Sequence, residues 1–202
     1  MDAEAIRAKF GGDYTADERT FVMGIDCRLA SHIAGRFQNL TVLETCTGAG
    51  FTTVALAQVA KHVVTVEINP AHQDQARHNV TFAGLADRVT FVAGDILDKG
   101  VWKGLPALDA AFLDPDWAIT SPEHVHRFKR STTRPPADAL LSRVLQWTAS
   151  AAIVFPPQID VREFISLPAH ERETLRLDGS HELYCLYFGS LARARGNTEC
   201  SL

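Results

Sequence analysis

Short apolar runs alternate with helical patterns over most of the chain, and this alternation limits the possible folds more than any other feature. The alternation predicts strands at residues 41–46, 62–68, 88–94, 107–114 and 151–156. It predicts helices at residues 52–60, 71–83 and 136–147, and a short helix at 161–167. Strands that alternate with helices form a parallel sheet with helices on both of its faces.

The last two predicted strands, at 172–177 and 182–189, are separated only by a tight turn at Asp178-Gly179-Ser180. Such a short connection joins antiparallel strands. The predicted fold class is therefore α/β: a single doubly wound, Rossmann-like domain with a mostly parallel seven-stranded sheet and an antiparallel C-terminal hairpin.

The chain ends are expected to differ from this domain. Helical patterns at about 2–10 and 26–37, the second with Asp26 as a plausible N-cap, predict a helical segment at 1–40 that packs on the core. The domain itself is predicted to cover residues 41–191. Residues 192–202 show no periodicity and are expected to be a disordered tail.

Composition excludes several classes of protein. The 202 residues are 46% hydrophobic and 22% charged, as in an ordinary globular protein. No apolar run approaches the roughly 18 residues needed to cross a bilayer, and the N-terminus lacks the apolar run of a secretory signal. We therefore expect a cytoplasmic protein without a membrane partner. The four cysteines show no CxxC spacing, so neither a metal site nor a disulfide framework is expected.

A glycine-bearing turn follows the first predicted strand, in the segment LETCTGAGFTT (43–53). Gly48 and Gly50 permit a tight turn and the close approach of a ligand to the backbone. Cys46 stands where the phosphate-binding dinucleotide fingerprint has its first glycine, and Glu44 is acidic, so a pyrophosphate is disfavoured. Glu44 suits the α-amino group of a methionine moiety. A plain strand–helix turn is the alternative interpretation.

Two further acidic residues end the second and third strands. Glu67, in VEINP, can accept both hydroxyls of an adenosine ribose, and Asp95, in AGDIL, can accept from the adenine amine. A solvated glutamate and a helix N-cap are the respective alternatives. Three acidic strand ends in succession indicate S-adenosylmethionine, with S-adenosylhomocysteine as product, rather than NAD. The predicted cofactor residues are Glu44, Thr45, Gly48, Gly50, Glu67, Ile68, Asp95 and Ile96.

The segment FLDPDW (112–117) ends the fourth strand and is the predicted catalytic segment. Asp114 and the carbonyl of Pro115 can accept hydrogen bonds from an amino group and orient its lone pair. Trp117 can stack on the ring that carries this amine. A strand that ends in a proline turn with a core tryptophan is the alternative.

These segments resemble the trimethylguanosine synthase family, the RNA cap guanine-N2 methyltransferases, from about residue 32 to residue 191. The segments that match are HIAGR (32–36), LETCTGAG (43–50), VEINP (66–70), RVTFVAGDIL (88–97), VFPPQID (154–160) and YFGSL (187–191). The resemblance implies a class I S-adenosylmethionine-dependent methyltransferase in which Trp117 stacks on the target base. Asp114 replaces the family's serine, and Asp116 its second proline. These carboxylates could favour a cationic base or repel a phosphate, so N-methylation of an amine is carried over and cap hypermethylation is not.

A basic stretch, HVHRFKRSTTR (124–134), follows the predicted catalytic segment. Arg127, Lys129 and Arg130 could contact phosphates beside a nucleotide, and Asp116 completes the predicted substrate-binding set. The alternative is a solvated surface loop, and the net charge of −4 argues mildly against a general nucleic-acid binder.

The sequence leaves three functions open. The chain could methylate an amine of a base in RNA or a nucleotide, or it could be an N-methyltransferase for a small-molecule or protein substrate. It could also be a non-catalytic partner subunit that binds S-adenosylmethionine. The oligomeric state is not predicted.

Overall fold

The computed structural model describes residues 1–117 and 124–202, and the chain divides into two compact units, Met1–Asp109 and Ala110–Leu202. In the described residues, no helix is both long enough and apolar enough to span a membrane.

The first unit contains a three-stranded parallel sheet. Its strands are β1 (Thr41–Thr45), β2 (His62–Glu67) and β3 (Val89–Ala93), in the order β3-β2-β1. Its helices are α1 (Ala3–Phe10), α2 (Glu18–Met23), α3 (Cys27–Ala34), α4 (Phe51–Val59), α5 (Pro70–Phe82) and α6 (Lys99–Lys103). Because the strands are parallel, their carboxyl ends lie at the same edge of the sheet.

Local capping explains where several of these helices begin. The Asp26 side chain accepts a hydrogen bond from Arg28 N and caps α3, as its position in the sequence predicts. Asn69 caps α5 in the same way, and Pro70 occupies the first helical position. Helix α2 was not predicted. It begins with a reciprocal capping box between Asp17 and Thr20, which replaces the usual glutamate with a threonine.

The N-terminal helices pack within the first unit through aromatic residues. Phe10, at the end of α1, stacks on Phe51, the first residue of α4, with ring centroids 3.5 Å apart. Tyr14 contacts the same ring edge-on, with centroids 6.0 Å apart. Phe10 and Tyr14 therefore attach the start of the chain to α4, the helix that follows the glycine turn.

The second unit contains five strands in its described residues. These are β4 (Ala110–Leu113), β5 (Ala151–Phe155), β6 (His170–Leu177), β7 (Ser180–Phe188) and β8 (Gly196–Ser201). Strand β4 is parallel to β5, β7 is antiparallel to both β5 and β6, and β6 is parallel to β8. Helix α7 (Ala137–Val144) precedes β5, and a 3-10 helix covers Val161–Ser166. The predicted C-terminal hairpin is confirmed as β6 and β7.

The expectation of a disordered tail is wrong, because residues 196–201 form strand β8, an eighth strand where seven were predicted. The carboxylate of Glu171 is 2% exposed and holds the start of this segment. It accepts hydrogen bonds from Arg193 N at 2.7 Å, from Ala194 N at 3.2 Å and from the Thr198 hydroxyl at 2.9 Å. The tail lacks apolar periodicity because β8 is exposed over most of its length, and a buried carboxylate orders it.

Candidate functional site

Glu44 lies near the end of β1 and is 2% exposed. The Thr53 hydroxyl donates a hydrogen bond to its Oε2 atom at 2.5 Å. Burial raises the pKa of Glu44 to about 7, and the charge of Glu67 acts in the same direction, while the hydroxyls of Thr53 and Thr65 oppose the shift. A cation beside this buried carboxyl would stabilise its ionised form. Neither threonine was predicted to belong to the site.

The turn between β1 and α4 brings three residues with positive φ together: Cys46 at 63°, Gly48 at 55° and Gly50 at 80°. The two glycines serve different purposes. A Cβ atom on Gly50 would lie 2.9 Å from the Cβ of Ala76 in α5, so this glycine permits close helix packing. A Cβ atom on Gly48 would have no neighbour within 4 Å. Gly48 therefore borders open space where a ligand can approach the backbone.

Glu67 ends β2 and is 7% exposed. Its Oε2 atom accepts a hydrogen bond from Gly48 N at 3.0 Å, and its Oε1 atom accepts one from Asn69 N at 2.8 Å. The carboxylate thus connects the glycine turn to the end of β2. Each oxygen keeps a lone pair beyond these bonds, which is the requirement for accepting a pair of ribose hydroxyls.

The other predicted cofactor residues of the first unit differ in exposure. Thr45 is completely buried, and its Oγ1 atom has no hydrogen-bond partner in the described part of the chain. Ile68 is 68% exposed next to Glu67. Asp95 is exposed and accepts from Leu97 N at 2.8 Å, which stabilises a local turn. Asp98, not Asp95, caps α6, and the cofactor role of Asp95 stays a prediction. Ile96 is buried, and its carbonyl accepts a hydrogen bond from the Trp102 indole.

The predicted catalytic segment follows β4 in the second unit. Asp116 forms an isolated antiparallel bridge with Arg134, through Asp116 N to Arg134 O at 3.0 Å and Arg134 N to Asp116 O at 3.2 Å. Trp117 is half-buried and contacts Phe155 edge-on at a centroid distance of 5.3 Å. Its Nε1 atom is buried without a hydrogen-bond partner among the described residues. The alternative of a tryptophan packed on the core therefore holds in part, and the indole N–H is left as a donor.

His126 lies beside Trp117 and was not among the site residues predicted from the sequence. Its ring lies 5.5 Å from the Trp117 ring at an interplanar angle of 88°. Burial lowers the pKa of His126, and the charge of His124 lowers it further. His126 is therefore neutral near pH 7. Its backbone is fixed by bonds from His126 N to Gln158 O and from Asp160 N to His126 O, both 2.9 Å long.

The basic stretch is a structured loop, and its three predicted phosphate contacts are not equivalent. The Arg127 guanidinium forms an ion pair with Glu163, which is 7% exposed, and its Nε atom donates at 2.6 Å. Glu163 also accepts from Lys129 N at 2.8 Å, and Asp138 accepts from Arg130 N at 2.8 Å. Arg127 therefore secures the loop through this ion pair although its side chain is 61% exposed, and Lys129 and Arg130 are exposed as well. The partner of Arg127 is 36 residues away, and no local sequence signal identifies it.

The described residues contain no group of three or more His, Cys, Asp or Glu side chains placed to hold a metal ion.

Comparison with known proteins supports the predicted resemblance and fold. Over 92 residues, the chain is 42% identical to a catechol O-methyltransferase from Mycobacterium tuberculosis, a match that covers 42% of this chain and 40% of that protein. The structure superimposes on a putative methyltransferase from Porphyromonas gingivalis with a TM-score of 0.75 and 17% identity, over 95% of this chain and 48% of that one. The chain thus matches less than half the length of either protein.

A third protein is similar over most of its own length. The O-methyltransferase from Bacillus cereus, solved in complex with S-adenosylhomocysteine, gives a TM-score of 0.59 at 17% identity, over 92% of this chain and 89% of that one. These neighbours confirm the predicted α/β methyltransferase fold. The model of the RNA cap guanine-N2 methyltransferase family matches residues 39–190, which contain both the glycine turn and the Asp-Pro-Asp-Trp segment. The chain belongs to the RNA cap guanine-N2 methyltransferase family.

Proposed function

We propose that this protein is an S-adenosylmethionine-dependent N-methyltransferase that acts on an amine of a nucleotide base in RNA and releases S-adenosylhomocysteine. The observation that carries the proposal is the pairing, within one family match, of an acid-lined glycine turn with an Asp-Pro-Asp-Trp segment at the end of β4. Neither feature alone distinguishes a methyltransferase from other α/β proteins.

The cofactor fits the first unit on three observations. The Thr45 hydroxyl is buried without a partner in the described residues, the backbone at Gly48 borders open space, and Glu67 keeps lone pairs for two hydroxyls. By its position and its raised pKa, Glu44 suits the α-amino group. Asp95 and Ile96 would hold the adenine, and Ile68 supplies exposed apolar surface beside the ribose.

The bound cofactor supplies an electrophilic methyl group on a sulfonium sulfur. Asp114 and the Pro115 carbonyl accept hydrogen bonds from the acceptor amine and direct its lone pair, while Trp117 holds the ring that carries it. Transfer would replace the cofactor's S–C bond by a new N–C bond, and the methylated nitrogen would lose its proton to solvent or to a nearby carboxylate. Orientation therefore replaces the strong base that a hydroxyl acceptor would need.

RNA is proposed as the acceptor because of the charge distribution around the basic loop. Lys129 and Arg130 direct exposed cationic side chains away from a backbone that Glu163 and Asp138 hold in place. Exposed cations on an ordered loop beside an aromatic side chain suit the phosphates next to a stacked base. The catechol relative makes a small aromatic molecule the competing acceptor.

Labelled methyl transfer tests this proposal directly. The protein is incubated with methyl-labelled S-adenosylmethionine and, in separate reactions, total RNA, a catechol panel with small-molecule extract, and protein extract. We expect label in RNA, and in a methylated guanine nucleoside after digestion. Label only in catechols or only in protein would move the acceptor to that class. Binding of S-adenosylmethionine without transfer to any pool would indicate a non-catalytic subunit.

Variants then test the residue roles. Asp114→Ala should lower the transfer rate by two or more orders of magnitude with little change in cofactor affinity, because only the orientation of the acceptor is lost.

The double variant Lys129→Ala/Arg130→Ala should raise KM for RNA and flatten its salt dependence by about one unit per lost phosphate contact. Lys103→Ala, an exposed cation on α6, is the matched control and should change neither quantity. Arg127 is not changed, because its removal would leave the buried Glu163 carboxylate without its ion-pair partner.

A further inference from the structure

Asn79 lies in α5 and is completely buried. Its side-chain amide connects two segments that are distant in sequence. The Oδ1 atom accepts a hydrogen bond from Thr15 N at 2.8 Å, and the Nδ2 atom donates to Thr15 O at 2.8 Å and to Ala49 O at 2.9 Å. Both N–H groups of the amide are therefore used, one on each segment.

The bond to Ala49 reaches the centre of the glycine turn, because Ala49 lies between Gly48 and Gly50. One helical turn earlier in α5, Ala76 packs against Gly50 so closely that any side chain there would collide with it. Helix α5 thus braces the turn twice, by packing at Gly50 and by a buried hydrogen bond at Ala49. Without the bond, the Ala49 carbonyl would be buried without this donor, which is costly in a protein interior.

The bonds to Thr15 reach the N-terminal segment, defined here as residues 10–24. This segment is also attached to the far side of the same turn, since Phe10 and Tyr14 both contact the ring of Phe51 at the start of α4. Gln75 provides a second attachment to α5, by hydrogen bonds to Asp17 and Thr20, and the structure gives it no bond to the turn.

We propose that Asn79 is a positioning residue that fixes the cofactor-binding turn and couples it to the N-terminal segment. The proposal rests on the proposed function in one respect, that the glycine turn binds S-adenosylmethionine. A side chain that holds both segments makes the order of one depend on the order of the other. Coupling of this kind is reciprocal: docking of the segment favours cofactor binding, and cofactor binding favours docking of the segment by the same factor.

Two variants separate positioning of the turn from simple loss of stability. Asn79→Ala removes the bond to Ala49 together with both bonds to Thr15. Gln75→Ala removes bonds from α5 to the N-terminal segment and leaves the turn untouched. Calorimetric titration with S-adenosylhomocysteine should show the Kd raised about tenfold in Asn79→Ala, the effect of one unsatisfied buried carbonyl. The Kd should change less than about twofold in Gln75→Ala, while the melting temperature falls in both.

The kinetic readout divides in the same way. With the RNA acceptor, Asn79→Ala should raise the KM for S-adenosylmethionine and leave kcat at saturating cofactor near the parent value. A merely structural role would lower the active fraction, and therefore kcat, at every cofactor concentration. An unchanged Kd in Asn79→Ala, or equal changes in Kd in the two variants, would overturn the proposal.

Hydrogen exchange of the parent protein supplies a test that does not depend on a variant that folds. Adding S-adenosylhomocysteine should slow exchange of the Thr15 amide, which is bonded to Asn79, about tenfold. It should slow exchange of the Thr20 amide, which bonds locally to Asp17, much less. Equal protection of the two amides would overturn the coupling. A parent protein that binds no S-adenosylhomocysteine would overturn the proposed function, and the coupling with it, whereas binding without selective protection overturns the coupling alone.

Discussion

Replacing Glu44 by glutamine should change how the stability of the protein depends on pH. The buried carboxyl has a pKa of about 7 in the folded protein against 4.5 for the ordinary group. Its raised pKa means that the folded state holds the proton more tightly than the unfolded state does. Stability is therefore greatest below the unfolded pKa and is lost as pH rises through about 7. A glutamine in the same place keeps an oxygen for the Thr53 hydroxyl and carries no charge at any pH.

The size of the effect follows from the shift. At about 1.4 kcal/mol for each pKa unit, ionisation of Glu44 removes roughly 3 kcal/mol of folding free energy at high pH, most of it between pH 5 and 8. The free energy of unfolding is measured by urea titration of both proteins at several pH values in this range. Other titrating groups are common to both proteins, so their effects cancel in the difference.

We expect the stability of Glu44→Gln relative to the parent to rise by about 2–3 kcal/mol from pH 5 to pH 8. Thr53→Val is a useful control. It removes a hydroxyl that favours the ionised carboxylate and should steepen the pH dependence of the protein that keeps Glu44. A difference between Glu44→Gln and the parent that stays flat across this range would refute the assignment of a raised pKa to Glu44.

Three other perturbations have definite expected outcomes. Gly50→Ala should destabilise the protein by about 1–3 kcal/mol in chemical unfolding, because φ is positive and the new Cβ meets Ala76. Gly48→Ala shares the positive φ but meets no atom within 4 Å, so it should destabilise the protein less and also weaken binding of S-adenosylhomocysteine. Arg127→Ala should lower the melting temperature by a few degrees, and the loss should shrink as pH falls through the lowered pKa of Glu163, since a protonated Glu163 no longer needs the cation. Removing residues 195–202 should expose the buried Glu171 carboxylate and make β6 sensitive to proteolysis, while a second deletion that keeps Thr198 should be milder.

The alternation of strands and helices could be predicted from the sequence, because strands that are buried on both faces of a parallel sheet are continuous apolar runs. The valines of β2 are an example: the strand from Val63 to Glu67 is buried throughout. The glycine turn was readable for a similar reason, since positive φ values select glycine. The different purposes of Gly48 and Gly50 could not be predicted from the sequence, because the need for glycine at position 50 depends on its contact with Ala76 in the following helix.

Long-range polar contacts account for most of what the sequence did not reveal. Arg127 was interpreted as a phosphate contact because of its basic neighbours; its side chain also pairs with Glu163, and the phosphate contact stays a prediction. The tail was interpreted as disordered because it lacks an apolar pattern, and Glu171 orders it. In both cases a buried carboxylate acts on a segment more than twenty residues away, and neither composition nor periodicity records such a pairing.

The hydrogen-bond donors of four buried carboxylates indicate which of them is available to a positive charge on the cofactor. Glu67 accepts from Gly48 N in the glycine turn and from Asn69 N, Glu163 from Lys129 N in the basic loop, and Glu171 from Arg193 N and Ala194 N before the last strand. Each of these carboxylates is thus hydrogen-bonded to the backbone of a segment of irregular chain. Glu44 is held by the hydroxyls of Thr53 and Thr65, which oppose the effect of burial only in part, and its pKa rises to about 7. Its charge is therefore not committed to the architecture of the chain.

A ligand that brings a positive charge to this carboxyl would ionise it and release a proton, so the affinity for S-adenosylmethionine should increase as pH rises from about 5.5 to 7.5 in the parent. In Glu44→Gln this increase should disappear. Calorimetric titrations in two buffers of different ionisation enthalpy measure the released proton directly, and equal heats in both buffers near pH 6.5 would place the ammonium group elsewhere.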